Sequence, residues 1–300
     1  MNDDQIYRLL RLLVLALGRL PIWLADFCAH FLGLLWFKID ARHRKITLEN
    51  LTRAFGDHMT PGQIKILGKQ VFKNIVTIVF EFAWTLKFDR DTFLSHFTIK
   101  GVEYIKAAHA RGKGVIGLLC HLGNFEMLIA GIEPVGVKGY AIYRKLDFKP
   151  LERLIRENRS RFNLEVIPKG KSSKTAEAIL NQGQIVGSLL DQSVDWYMGP
   201  FVDFFGAPAC THRGFAKLAL KTKAPVLPIY TVRKNRHFTV EFLPEIPLVE
   251  TGDPIKDIEI NTQNYTSAIE SLVRKYPDQY FWVHNRWKTK NYCPWPKTDD

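Results

Sequence analysis

An α/β fold is expected from this sequence, with a mixed, mostly parallel sheet flanked by helices and an N-terminal membrane-associated helical segment. Three observations predict it. Short apolar runs alternate with helical patterns through the body of the chain. One of them, Val115-Ile-Gly-Leu-Leu-Cys120, is apolar without a break, as a strand covered on both faces must be. The stretch from Leu9 to Phe37 is rich in Leu, Trp and Phe, unlike anything after it.

In chain order, Gly18 and Pro21 divide the Leu9–Phe37 stretch into two helices. Arg11, Arg19, Asp26 and His30 interrupt it, so no uncharged run reaches the roughly 20 residues of a simple spanning helix. Trp23, Phe27, Phe31, Trp36 and Phe37 are side chains that settle at a lipid interface. The segment reads as an anchor in or dipping through one leaflet, with two amphipathic helices packed on the protein's own core as the alternative. The start Met-Asn-Asp-Asp is acidic and no Ala-x-Ala-like site follows, which argues against a cleaved leader. Lys38, Arg42, Arg44, Lys45 and Arg53 follow, a cluster that the positive-inside rule puts in the cytoplasm.

Thr60-Pro61 supplies an N-cap and a first-turn proline, and apolar periodicity from Ile64 to Trp84 makes one long helix. Strands are expected at Gly114–Cys120, Gly139–Tyr143, Leu164–Ile167, Gln184–Leu190, Val226–Thr231 and His237–Leu243. Helices are expected between them at Val102–Ala110, Leu151–Arg161, Thr175–Asn181 and Arg213–Lys221. Neither an internal repeat nor a low-complexity linker divides this part, so residues 1–37 are read as an anchor and 38–300 as a single domain.

Composition narrows the class. With 46% hydrophobic and 24% charged residues the 300-residue chain can bury a large core, which excludes disorder. A mean hydropathy of −0.10 excludes several membrane spans. The net charge of +12 is spread over Arg42–Lys45, Lys169–Lys174, Arg213–Lys223 and Arg233–Arg236, a field that suits anionic lipid, phosphorylated glycan, acidic protein or nucleic acid. Cys28, Cys120, Cys210 and Cys293 have neither zinc-ligand nor disulfide-framework spacing, and a reducing compartment fits them.

Active groups in open α/β sheets lie beyond the carboxyl ends of strands, and here those positions read His121, Arg144, Asp191 with Gln192, and Tyr230. His121 opens His-Leu-Gly-Asn-Phe-Glu126, where Gly123 and Asn124 supply a turn and Asn124 can cap the next helix. A strand-end histidine and a carboxylate in the following turn can meet. The histidine can then take a proton from an alcohol while the carboxylate orients the ring or positions the acceptor. Nine His and 30 acidic residues give about one such pair by chance at any spacing, so its weight comes from its place after a buried strand; a structural strand-end histidine is the plain alternative.

These residues resemble the bacterial lipid A late acyltransferases, which acylate lipid A precursors and have a glycerolipid-acyltransferase-like fold. His121-Leu-Gly-Asn-Phe-Glu126 is similar to that family's His-x-x-x-x-Asp/Glu block, and Tyr143-Arg144 to its arginine block. Asp191-Gln192, with Gly199-Pro-Phe-Val-Asp-Phe-Phe-Gly206 and Thr211, is similar to the third. Asn50-Leu-Thr-Arg-Ala-Phe55, Ala224-Pro-Val-Leu-Pro228 and Phe281-Trp-Val-His-Asn-Arg-Trp-Lys288 complete the order, which covers most of the chain. Many relatives carry Arg where Asn285 stands.

The resemblance implies transfer of a fatty acyl group from an acyl carrier protein thioester to a hydroxyl of an anionic membrane glycolipid. It implies no metal or organic cofactor, and a place at the cytoplasmic face of the bacterial inner membrane. His121 would act as base with Glu126. Arg144 would serve the developing oxyanion or an acceptor phosphate, and Asp191 and Gln192 would orient the site.

Phe204 and Phe205 either wall an acyl channel or plug the core. Thr211 and Arg213 open a helix that either holds a phosphate or is merely capped. Arg286 among Trp282, His284, Trp287 and Lys288 either grips a headgroup or packs a C-terminal strand. Lys169-Gly-Lys-Ser-Ser-Lys174 lacks a phosphate-loop frame, which excludes nucleotide binding there. A nucleic-acid binder would need a reading element that the dispersed cations do not form. A non-catalytic lipid-binding protein would have no use for His121, Glu126 and Arg144 at successive strand ends.

Overall fold

The computed structural model describes residues 2–168, 172–290 and 295. Cys293 and residues 169–171 of the lysine-rich stretch lie outside them. The expected α/β architecture is present as a seven-stranded sheet in which every neighbouring pair but one is parallel.

Two N-terminal helices, α1 (Asp3–Gly18) and α2 (Ile22–Ile39), break at Pro21 as expected, and α3 (Ala41–Phe55) follows. The long helix α4 (Pro61–Thr85) starts at Thr60, whose side chain accepts from the Gln63 amide while Gln63 reaches back to the cap. Both α1 and α2 lie on α4, and small residues let them. A Cβ on Gly18 would fall 2.2 Å from the Ala83 carbonyl oxygen, and one on Gly33 2.6 Å from the Lys73 Cα. Ala25, Ala29 and Gly33 recur every fourth residue on the buried side of α2. Its other side leaves Ile22, Trp23, Phe27, Phe31, Leu34, Leu35 and Ile39 exposed, beside Leu9, Leu12, Leu13 and Leu17 of α1. Among the described residues α2, with mean hydropathy 1.4, is the helix long and apolar enough to cross a membrane.

The sheet is built from β1 (Phe97–Lys100), β2 (Val115–Leu119), β3 (Gly139–Tyr143), β4 (Leu164–Pro168), β5 (Ile185–Leu189), β8 (Val226–Lys234) and β9 (His237–Phe242), in the order β1-β9-β8-β2-β5-β3-β4. The exceptional antiparallel pair is the β8–β9 hairpin. Helix α5 (Arg90–Ser95), α6 (Val102–His109) and a run of 3-10 turns at Phe125–Val135 cover one face around Phe93, Ile105, Met127 and Phe238. The other face packs on α8 (Ser172–Asn181), α9 (Gly214–Thr222) and α10 (Pro254–Lys275) around Leu118, Phe215, Tyr265 and Trp282. Helix α7 (Lys149–Ser160) links β3 to β4 and touches α1.

Several elements depart from expectation. Strand β1 is an edge strand of four residues, and β6 (Phe201–Phe204) and β7 (Ala207–Cys210) form a hairpin where no strand is expected. The terminal block 281–288 is not a strand; it runs as turns, and Asn50 of α3 holds it by donating to the Trp282 and His284 carbonyls at 2.8 Å each.

Candidate active site

Strands β2 and β5 are neighbours with Leu119 opposite Leu189, so the residues two steps beyond each strand face one another. They are His121 and Asp191. The Asp191 carboxylate meets the His121 ring Nδ1 at 2.8 Å and accepts from the His121 backbone N–H at 3.0 Å. Burial disfavours charge on both residues, but each stabilises the other. The His121 pKa is raised above 6.5 and that of Asp191 lowered below the ordinary carboxylate value. An ionised Asp191 can only accept, so Nδ1 carries the proton and Nε2 keeps its lone pair. Phe125 and Phe281 flank the ring, with centroids 5.0 and 5.8 Å away. Other titratable groups around the pair are Glu126, Cys120, Tyr280, His284 and Arg286. Burial lowers His284 to about 4, so at neutral pH it is uncharged, and its Nε2 accepts from the Ser193 amide at 3.0 Å.

The turn after His121 needs Gly123, at φ +58°, because a Cβ there would fall 2.2 Å from the Thr231 carbonyl oxygen. Asn124 does not cap the following turns; it is fully buried and donates through Nδ2 to Glu81 of α4 at 3.1 Å. Glu126 is not the partner of His121 either. Arg159, on the last turn of α7, takes it bidentately at 2.6 and 3.0 Å, and the guanidinium lies 5.0 Å above the Tyr143 ring. Five residues along a turn carry the Glu126 carboxylate toward β3, while the parallel neighbour β5 supplies the residue that faces the histidine. Tyr143 in turn donates its hydroxyl to Glu152.

His121, Glu126, Tyr143, Arg144, Arg159 and Gln192 line one open cleft of about 570 Å³ beyond the strand ends. Arg144 stands at its rim with an 80% exposed side chain, 3.5 Å from Asp147. Tyr230 lies inside β8, bonded to Glu241, and is no part of the cleft. Glu126, Tyr143 and Arg159 also border an apolar pocket of about 120 Å³ between the sheet and the 3-10 run. Register explains this space: Gly117, Gly187 and Ala141 stand side by side on β2, β5 and β3, a row with almost no side-chain volume. From Tyr143 the pocket runs down to Gly139, four residues or roughly 13 Å of strand.

The remaining expected binding residues lie elsewhere. Phe204 and Phe205 are core residues, packed edge to face on each other and against Trp287, Phe55 and Trp282, because the hairpin turns them inward. Arg286 is 2% exposed and donates to the Cys210 carbonyl and to Thr211 Oγ1, and so pins the terminal block to β7. Thr211 is therefore a buried acceptor rather than a helix cap, and the α9 cap position belongs to Arg213, whose own amide donates to the Met198 carbonyl. The residues that sequence reasoning passed over are Arg159 and Glu81: one reads as an ordinary charge on an exposed helix, the other as an interruption in an apolar one.

Residues 6–289 match the family described as bacterial lipid A biosynthesis acyltransferase. The chain is 26% identical to the lipid A biosynthesis lauroyltransferase of Escherichia coli, over 86% of this chain and 83% of that one. It is 23% identical to the E. coli lipid A biosynthesis palmitoleoyltransferase, over 83% and 80%. A phosphatidylinositol mannoside acyltransferase of Mycobacterium tuberculosis is 24% identical over 63% and 59%.

Proposed function

Because the chain belongs to the bacterial lipid A biosynthesis acyltransferase family and is an acyltransferase of late lipid A acylation, we propose that it moves a fatty acyl chain from an acyl carrier protein thioester to a hydroxyl of a lipid A precursor, with His121 as the general base. The observation that carries this reading is the His121–Asp191 pair on the wall of a cleft that shares Glu126, Tyr143 and Arg159 with an apolar pocket.

The acyl chain lies along the Gly117–Gly187–Ala141 row, and its thioester carbonyl reaches the cleft between Glu126 and His121. Nε2 takes the proton of the acceptor hydroxyl as that oxygen attacks the carbonyl carbon. Asp191 holds the ring and stabilises the imidazolium. Collapse of the tetrahedral intermediate breaks the carbon–sulfur bond, and the proton on Nε2 passes to the departing thiolate. Glu126 acts through Arg159: the pair and Tyr143 form the wall between cleft and pocket, and removing the carboxylate leaves a nearly buried guanidinium uncompensated. Arg144, largely in water, is better suited to a phosphate on the acceptor than to an oxyanion, whose stabilisation requires a dry site. Gln192 lines the same cleft as the histidine.

The apolar faces of α1 and α2 rest on the inner membrane at its cytoplasmic side, where anionic lipid and acyl carrier protein are both present. Arg144, Lys145, Lys149, Arg153 and Arg156 ring the mouth of the cleft and its neighbouring hollow; Asp147, Asp3 and Asp4 pair with Arg144, Lys149 and Arg153, and Lys145 and Arg156 are the cations there best placed to meet an acidic carrier protein. The test is turnover of acyl carrier protein thioester with a lipid A precursor as acceptor. His121→Ala should lose roughly 10²–10⁴-fold in rate with its fold intact. A near-wild-type rate would refute the assignment, and transfer to a mannosylated phospholipid in place of the lipid A precursor would move the acceptor to the second class of relatives.

A further inference from the structure

We infer that Glu81 is a positioning residue for the transfer: with Asn74, seven residues earlier on α4, it clamps both banks of the turn that carries His121. The inference rests on the reading of His121 as the base.

Residues seven apart share a helix face, and Asn74 and Glu81 both point at the sheet edge where the turn lies. Glu81 has no exposed surface. One of its carboxylate oxygens is 2.7 Å from Arg233 Nε on β8, and the other accepts from Asn124 Nδ2 at 3.1 Å. The Asn124 side-chain carbonyl is buried without a partner, so the side chain's hold runs wholly through Glu81. Asn74 reaches the opposite bank, donating to the Asp278 carbonyl at 2.6 Å. The segment after Asp278 pairs with the turn: Gly123 donates to the Gln279 carbonyl at 2.9 Å and Phe281 to the His121 carbonyl at 3.0 Å. Arg233 joins the two arms, since its Nη2 donates to Asn74 Oδ1 at 2.9 Å.

A carboxylate is an expensive way to fill space here. Burial pushes it up to about 7, against the pull of Arg233 and Asn124, and an apolar side chain would occupy the same volume without that cost. What the carboxyl group adds is direction. It draws Asn124 toward α4 and thereby sets the depth at which His121 meets Asp191.

Steady-state kinetics on the full-length protein, with acyl carrier protein thioester and lipid A precursor, test this. Asn124→Ala removes the hydrogen bond and leaves the Glu81–Arg233 pair intact. It should lower kcat by roughly ten- to a hundredfold, as a small misplacement of a base does, with KM for both substrates unchanged and the melting temperature lowered, because a buried side chain is lost and a Glu81 oxygen loses its donor. The acid limb of kcat should also move down, toward or below the ordinary histidine value of about 6.5, because the contact with Asp191 loosens. Glu81→Gln should give the same pattern, and Glu81→Gln with Asn124→Ala should be no worse than the poorer single variant. Should Glu81→Gln fail to fold, Asn124→Ala alone decides. A folded Asn124→Ala protein with wild-type kcat and an unmoved acid limb would overturn the inference, as would losses that multiply in the double variant. His121→Ala measured alongside separates the two claims: if it is inactive while Asn124→Ala is fully active, only the clamp fails, whereas an active His121→Ala removes the base itself.

Discussion

At the level of single residues, the consequence most open to measurement is the sign of the pH response. Asp191 raises the His121 pKa above 6.5, so the neutral base is lost as pH falls through that raised value, and kcat should decline on the acid side with a midpoint above 6.5. In Asp191→Asn the burial of His121 remains and its counter-charge does not. The midpoint should move below 6.5 while kcat drops by roughly 10²–10⁴-fold, because the amide no longer enforces the Nδ1–H tautomer. A pH–rate profile of both proteins measures this, and an unshifted limb in Asp191→Asn would remove the pair from the mechanism. Arg144→Ala should behave differently. With a solvent-exposed guanidinium at the rim, its loss should raise KM for a phosphorylated acceptor and leave kcat near wild type. A large fall in kcat at saturating acceptor would return Arg144 to the reacting atoms.

Between residues and the whole lies the packing of strands and helices. The apolar pocket exists because three adjacent strands place Gly117, Gly187 and Ala141 in one row, so, if it holds the acyl chain as proposed, filling that row should shorten the chain that fits. Ala141→Phe adds volume without a backbone demand. Each methylene denied burial costs about 0.8 kcal/mol, close to a fourfold loss of preference. Competition among acyl carrier protein thioesters of graded length, read by mass spectrometry of the product, would register the shift; an unchanged profile would place the chain elsewhere. The seating of α2 depends on the same logic of missing side chains. In Gly33→Leu the new Cβ meets the α4 backbone at 2.6 Å, which has little room to yield. The expected cost is about 1–3 kcal/mol, visible as earlier proteolysis between α2 and α3.

The whole molecule presents two surfaces: an apolar one on α1 and α2, and a cationic one beside the cleft that draws on the +12 net charge. Lys221 and Lys223 do not belong to the second. They close α9 at the end of the sheet where β8 begins, opposite the cleft, and pair with Glu177 and Glu250. Steering should therefore depend not on Lys149, which pairs with Asp3, but on Lys145 and Arg156. Reversing these charges should raise KM for the carrier protein and flatten its salt dependence, since exposed charges are screened over about 8 Å at physiological ionic strength. A wild-type KM that does not change with salt would dismiss steering. Vesicle flotation tests the other surface. Replacing Trp23, Phe27 and Phe31 by Ser should release the protein from anionic vesicles, and retention would place the membrane contact elsewhere.

Much of this was legible in residue order, because it depends on local pattern. The unbroken apolar run at Val115–Leu119, the cap at Thr60-Pro61 and the break at Pro21 each act within a few residues, and the structure realises all three. Periodicity likewise separates strands from helices through the α/β body. Strand order is another matter. Nothing in the sequence says that β5 lies beside β2, yet that adjacency gives His121 its carboxylate and sends Glu126, the sequence-near acid, to Arg159. The same applies to the Gly117–Gly187–Ala141 row, to the inward turn of Phe204 and Phe205, and to Glu81, which in sequence only interrupts an apolar helix. Each is a meeting of segments tens to hundreds of residues apart. Such contacts form because the assembled sheet and helices bury them together, and a single chain's local preferences carry no record of which segments will become neighbours.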